Sequence, residues 1–300
     1  MKKLYLIILL GFCWGPSFLF IKIAVREVTP CTLAAARITI AALLLYVVLR
    51  LRSIKLKPWS HLWPHFLILG ALSSALPFSL ISYGEQHISS GLAGLINGST
   101  PVFTVLIAHF STKDDKMTKK SVLGTVCGFL GLMLIFFPSL GKGQWGSELG
   151  ILAVIVASLF YAIGMVYAKK YLHHLPKLVA PTWQLIMASA LSLMIAFTFE
   201  RPLEHTSLSW ETLGSILALS LIGTVLAFIL YFQVLRIAGA SYLSFSNLLF
   251  PLIAVISGAI FLKEKLAWNT YLGGFFILLG LGITTNIFPL LKASLSKQRD

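Results

Sequence analysis

Residues 97–101 read Asn97-Gly98-Ser99-Thr100-Pro101, and 150 positions later the chain reads Asn247-Leu248-Leu249-Phe250-Pro251. Both lie inside long apolar runs. A proline there removes its own N–H donor and frees the carbonyl four residues earlier, which belongs to Asn97 in one case and to Asn247 in the other. The recurrence of one helix break at one offset points to a duplicated unit, against the alternative of chance likeness between apolar helices. The match extends outward. After the following loop the offset becomes 149 and aligns Gly124 and Gly131 with Gly273 and Gly280. Earlier it is 147, and Trp14 meets Tyr161, Lys22 meets Lys169 and Arg37 meets Gln184.

The rest of the chain says what solvent surrounds these runs. Its 300 residues are 57% hydrophobic and 11% charged, whereas soluble domains carry about 25% charged residues. The excess of apolar residues is too large for one soluble core, so the bilayer is the natural solvent. A spanning helix takes about 20 mostly apolar residues. That ruler predicts ten spans, near 4–25, 31–49, 63–83, 88–110, 119–138, 148–171, 179–200, 211–235, 240–262 and 268–291. The period-two alternation of an outer-membrane barrel is missing from them. Lys2 and Lys3 before the first span raise the question of a signal peptide. Phe12 precedes Cys13, and no small-x-small cleavage site follows before Lys22, so the segment reads as a mature helix. Cys13, Cys31 and Cys127 all sit in apolar stretches and imply no disulfide framework.

Charge supplies orientation. With the first residues inside, Lys2, Lys3, Arg50, Arg52, Lys55, Lys57, Lys113, Lys116, Lys119, Lys120, Lys169, Lys170, Lys177, Arg236, Lys292, Lys297 and Arg299 fall on the cytoplasmic side, and only Arg26, Lys142, Arg201, Lys263 and Lys265 on the other. That distribution, 17 against 5, places both termini in the cytoplasm under the positive-inside rule. It also explains the net charge of +14 without a nucleic-acid partner. The expected fold is therefore all-α integral membrane, a multi-pass protein of a bacterial inner membrane. Residues 1–140 and 147–292 form two five-helix repeats, and 293–300 form a cytoplasmic tail. Because five is odd, the second copy enters the membrane from the opposite side, an inverted repeat of the kind secondary transporters use.

At these residues the chain resembles a known family. Trp14-Gly15, Leu33 to Arg37, the helices of Pro101 and Pro251, and Phe261-Leu262-Lys263-Glu264-Lys265-Leu266 followed by Gly273 and Gly280 resemble the EamA-type branch of the drug/metabolite transporter superfamily. The resemblance covers essentially the whole chain. It implies ten helices around a central cavity, with the fifth and tenth standing apart. One departure is that the first half carries Asp114-Asp115 where the second has Glu264-Lys265; no transport role is expected for that acidic feature.

Candidate solute contacts are Asn97 and Asn247, each an amide beside a freed carbonyl, with Trp14, Ser17, Tyr161 and Tyr231 as an aromatic and polar lining. For the asparagines the structural alternative is a bond to a neighbouring helix; for Tyr83, Tyr242 and Trp183 it is an interfacial belt. Pro101, Pro251 and Gln184 read as structural or gating residues. So does Arg37, which either holds helices together or attracts an acidic solute; the structural role is preferred. Pro16 and Pro77 break their helices without partners in the second half. Lys22 is expected to snorkel outward. Glu27, Glu85, Asp114, Asp115, Glu148, Glu200, Glu204, Glu211, Glu264 and Asp300 all fall in loops or at helix ends. Glu85 and His87 either couple protons at the outer mouth or are solvated charges, and the second reading is preferred. His61 and His65 lack a third metal ligand. Gly124, Gly128 and Gly131, with Gly273, Gly274, Gly280 and Gly282, make small-residue faces joining the fifth and tenth helices within one chain or between two. The intrachain contact is preferred and a homodimer stays open.

These readings point to a secondary transporter moving a small amphiphilic metabolite, an amino acid or its derivative, by alternating access, with export as the direction. The alternatives are uptake by exchange, for instance of S-adenosylmethionine, and outside that class a passive channel or a membrane enzyme. GxxxxGK[ST], HExxH and GxSxG motifs are missing, so neither direct ATP use nor catalysis is expected, and no cofactor or metal.

Overall fold

In the computed structural model the described residues are 2–54, 56, 62–111, 118–136, 145–172, 178–202, 208–231, 233–234 and 246–284, and among them there are helices and turns but no strand. Hydrocarbon offers the backbone no partner, so an apolar run must satisfy its own N–H and C=O groups as a helix. The first rod is α1 (Lys2–Trp14) and α2 (Ser17–Ala24), interrupted at Gly15-Pro16. Then α3 (Pro30–Leu51) begins on a proline, whose missing N–H would have no intrahelical acceptor there. The next rod joins α4 (Trp63–Gly70) to α5 (Leu76–His87) through a π turn at Ala71–Ala75. A further broken rod pairs α6 (Ser90–Asn97) with α7 (Thr100–Ser111), and α8 (Lys119–Phe136) ends the first half. The second half holds α9 (Trp145–Tyr171), α10 (Val179–Phe199), α11 (Trp210–Ser220) with its π turn at Leu221–Leu226, α12 (Ser246–Phe261) and α13 (Trp268–Thr284).

Seven described rods are long and apolar enough to cross a membrane: Tyr5–Ala24, Pro30–Leu51, Trp63–His87, Ser90–Ser111, Ser147–Ala168, Val179–Phe199 and Trp210–Tyr231. The helix α8 and the shorter apolar helices Leu249–Phe261 and Trp268–Ile283 stand beside them. Residues 240–245 of the expected ninth span, Asp114-Asp115, His61, Tyr242 and the tail 293–300 lie outside the described residues.

The packing pairs rods across the two halves. The α1–α2 rod lies on α11, α4–α5 on α9, α3 on α10, α6 on α12 and α8 on α13. The last contact is backbone on backbone: a Cβ added to Gly131 would stand 2.5 Å from the Gly273 carbonyl oxygen, and one on Gly273 2.6 Å from that of Gly131. The glycine faces therefore meet within one chain. The two π turns occupy matching places, residues 71 and 221 being 150 apart. This corrects the expectation for Pro77. Its break does have a counterpart in the second half, one made without proline by a hydroxyl: Thr224 Oγ1 donates to the Leu219 carbonyl five residues back, at 2.9 Å.

Candidate functional site

Each π turn is braced by a polar side chain from the neighbouring rod. Arg37 on α3 donates from Nε to Thr224 Oγ1 at 3.0 Å and from Nη2 to the Gly223 carbonyl at 3.3 Å. Its guanidinium lies 4.0 Å from the centroid of the Phe78 ring, a cation–π contact. On α10, Gln184 Nε2 donates to Ser74 Oγ at 3.0 Å. Arg37 and Gln184 are 147 apart, and Ser74 and Thr224 are 150 apart, so the two braces occupy corresponding positions. A π turn leaves backbone groups short of partners, and Arg37 fills that need at Gly223. Ser17 is buried at the same crossing. It donates to the Cys13 carbonyl at 3.3 Å, and a Cβ on Gly223 would come within 2.6 Å of its hydroxyl oxygen. The matching crossing exchanges the residue types, with Ser73 seated against Gly164.

The two asparagine–proline motifs also meet, although only the first interrupts its rod and α12 runs unbroken through Pro251. A Cβ on Gly98 would lie 2.8 Å from Pro251 Cγ, so the break in the α6–α7 rod touches α12 at its proline. Pro101 is half-buried and Pro251 buried. The carbonyl freed by Pro101 is already occupied, because Thr100 Oγ1 donates to Asn97 O at 2.8 Å. Of the two acceptors expected from Asn97, the side chain is the one that bonds another rod: its Oδ1 takes the Ser158 hydroxyl at 3.2 Å. Asn97 keeps part of its surface open. Asn247 lies in α12, and its side chain falls outside the described set.

Trp14, Tyr161 and Tyr231 are all partly exposed. Trp14 packs 6.0 Å from Tyr231, centroid to centroid, and Tyr161 edge-on to Phe78 at 6.4 Å. Trp14 borders two hydrophobic clusters, and Tyr161 borders two. Aromatic residues at the seam between clusters, with surface to spare, suit a small-molecule lining. His65 is occupied elsewhere, Nδ1 lying 2.7 Å from Tyr167 Oη.

Acidic side chains in the loops and at the helix ends clamp one end of the bundle. Glu264 accepts from Ser90 N–H at 2.8 Å, Ser90 Oγ at 3.0 Å and Gly91 N–H at 3.0 Å, all at the start of α6. Glu200 accepts from the Cys31 and Thr32 amides at 2.9 and 2.8 Å at the start of α3. Glu27 accepts from Ser209 N–H at 2.9 Å before α11. Helix N-termini present unpaired N–H groups and positive dipole ends, so carboxylates are favoured there. Burial alone would raise the Glu200 carboxyl, but the nearby Thr29 hydroxyl and the bonds from the Thr32 hydroxyl and the Cys31 and Thr32 amides outweigh it and hold it below the usual range. Glu27 is held low chiefly by the Ser209 amide. Lys22 does not snorkel outward. Its ammonium bonds the Glu85 and Ile88 carbonyls, capping the end of α5. Glu85 is fully buried, and neither carboxyl oxygen has a hydrogen-bond partner. In sequence these acids carried one legible signal, their position beside helix ends; which N-terminus each would reach was not written there.

Comparison with known proteins places the chain among membrane transporters. The model of the EamA-like transporter family matches twice, over residues 1–137 and 148–286. The Bacillus subtilis (strain 168) protein named uncharacterized transporter YoaV is 27% identical, with 92% of this chain and 94% of that protein aligned. A probable amino-acid metabolite efflux pump of Escherichia coli (strain K12) is 25% identical over 92% of both chains. An S-adenosylmethionine/S-adenosylhomocysteine transporter of Chlamydia trachomatis is 26% identical, over 87% of this chain and 82% of that one. A solved crystal structure shares the fold at a TM-score of 0.63 and 18% identity, covering 94% of this chain and 97% of its own.

Proposed function

The chain belongs to the EamA-like transporter family, and from that premise and the site geometry we propose that it is a secondary transporter. It moves a small amphiphilic metabolite, an amino acid or a derivative, across a bacterial inner membrane by alternating access. Ten spans form two inverted five-helix repeats, residues 1–140 and 147–292, around a central cavity. Its lining is Trp14, Ser17, Asn97, Tyr161, Tyr231 and Asn247, while Arg37, Gln184, Pro101 and Pro251 hold or gate the rods. The observation that carries the reading is the matched pair of braces, Arg37 on the π turn at 221–226 and Gln184 on the π turn at 71–75. Equivalent side chains doing one job at two crossings support two copies of one unit, and such a unit supplies two related conformations. Both termini face the cytoplasm, so the end clamped by Glu27, Glu200 and Glu264 faces outward.

Export is the direction favoured, in line with the relative named as an efflux pump; uptake by exchange is the second reading, supported by the relative named for S-adenosylmethionine. Reconstitution in liposomes tests both, with labelled amino acids and S-adenosylmethionine offered with and without a pH gradient. Counterflow of a labelled solute is expected of a carrier, and non-saturating flux would instead mark a channel. The double variant Asn97→Leu, Asn247→Leu inserts normally and loses solute affinity; wild-type kinetics in it refute the assigned lining. Topology mapping that puts residues 140–147 and 292–300 on one face of the bilayer refutes the inverted arrangement.

A further inference from the structure

Glu85 stands apart from the other clamping acids. Its residue is 0% exposed, and neither Oε1 nor Oε2 receives a hydrogen bond. It sits near the end of α5, beside the Ile88-Ser89 turn, which Lys22 holds at the Ile88 carbonyl and which Glu264 flanks through Ser90 and Gly91. Every charged or titratable group around it is committed elsewhere or lies off it. From the first rod, Lys22 spends its ammonium on the Glu85 and Ile88 backbone carbonyls, and Arg26 is exposed beyond it. On α3, Arg37 is bonded to Thr224 and Gly223. Between α12 and α13, Glu264 is bonded to Ser90 and Gly91. On α9, which touches α5 through Gly84 and Gly150, Glu148 is buried with its own Oε1 unpartnered. On α5 itself, Tyr83 and His87 meet edge to face, 4.9 Å apart, and both are exposed.

An ionised carboxylate buried with no donor is one of the costlier arrangements a protein can hold. A neutral carboxyl in the same place is far less so.

We propose that Glu85 is the proton site that operates the seal at this end of the bundle. The carboxyl carries one proton while the Ile88-Ser89 turn is clamped, and opening of the clamp admits water, to which the proton is lost. Closing takes one proton back from the medium on that side. The bond made and broken is the Oε–H of Glu85, with hydronium as the other party, and no further reactant is needed. Acidity on that face therefore favours the sealed conformation, and alkalinity the open one. The proposal rests on the alternating-access reading, since only a seal that opens can exchange this proton.

Two readouts on the full chain in liposomes test it without any solute, so they stand or fall separately from the transport assay. The first is infrared difference spectroscopy. At neutral pH the wild type is expected to show the carbonyl stretch of a buried protonated carboxyl that Glu85→Gln lacks; identical spectra in that region overturn the proposal. The second is labelling of Ala93→Cys by a membrane-impermeant maleimide from the clamped side, with labelling of the parent chain subtracted. Ala93 is fully buried one turn below the seal. Raising the pH on that side is expected to increase its labelling at least about tenfold, while in the Glu85→Gln background labelling stays low and flat, because the amide mimics the protonated acid. A pH response in Glu85→Gln equal to the parent's overturns the proposal. Should that variant fail to reach the membrane, Glu85→Asp replaces it: a displaced pH profile supports the assignment, and an unchanged one refutes it.

Discussion

Removal of the Glu264 carboxylate tests the clamp most directly. The side chain accepts three hydrogen bonds, from Ser90 N–H, Ser90 Oγ and Gly91 N–H, at 2.8 to 3.0 Å. Hydrogen bonds to a charged group contribute roughly 1.5–3 kcal/mol each. The three share one acceptor that is partly solvated, so their contributions do not add in full, and about 3 kcal/mol is a reasonable total. If the contact exists only in the sealed conformation, Glu264→Ala shifts the ratio of sealed to open by roughly 100-fold, since every 1.4 kcal/mol is tenfold. Ala93→Cys then labels from the clamped side about 100-fold faster in the variant, and Glu264→Gln, which keeps one acceptor oxygen, falls between. If instead both conformations hold the contact, labelling stays put and the melting temperature falls. A variant that changes neither refutes the idea that Glu264 holds α6 to the turn between α12 and α13.

Other perturbations report on the remaining contacts. Gly273→Leu puts a Cβ 2.6 Å from the Gly131 carbonyl and further atoms beyond it; the α8–α13 pair must part, at a cost of about 1–3 kcal/mol or more, read as a lower melting temperature in detergent. Arg37→Gln loses the bond to the Gly223 carbonyl and the ring contact with Phe78. A stability loss of about 2–4 kcal/mol is expected, and normal stability with altered charge selectivity of transport would move Arg37 to solute binding. Glu200 sits below its ordinary value of 4.5 in the folded protein. Its contribution to stability is thus complete above that ordinary value and is lost as pH falls through the lower, folded one. Thermal melts of wild type and Glu200→Gln are expected to differ at neutral pH and to converge as the pH drops below 4.5 and through the lower, folded value; parallel curves would rule out the Glu200 cap.

The sequence by itself determined the solvent, the element type and the doubling. Apolar runs of spanning length leave the backbone no choice but helix, and the paired Asn-x-x-x-Pro exposed the repeat because proline's effect on a helix is local and needs no neighbour. The match of Arg37 with Gln184 was legible for the same reason, as a polar residue at one register of two apolar runs. Their partners were not. The π turn at 221–226 lacks the proline that marks its counterpart, so only the folded structure shows that the two rods carry the same turn. The partners of the acids were hidden for a related reason. Glu264, Glu200 and Glu27 look like loop charges along the chain, and Lys22 like a snorkelling end, because the helix termini they cap lie 63 to 182 residues away. Capping across such distances is decided by which rod ends share one end of the bundle, and that is a property of packing. The same packing buries Glu85 and brings it no donor, although in sequence it sits among polar neighbours at a helix end.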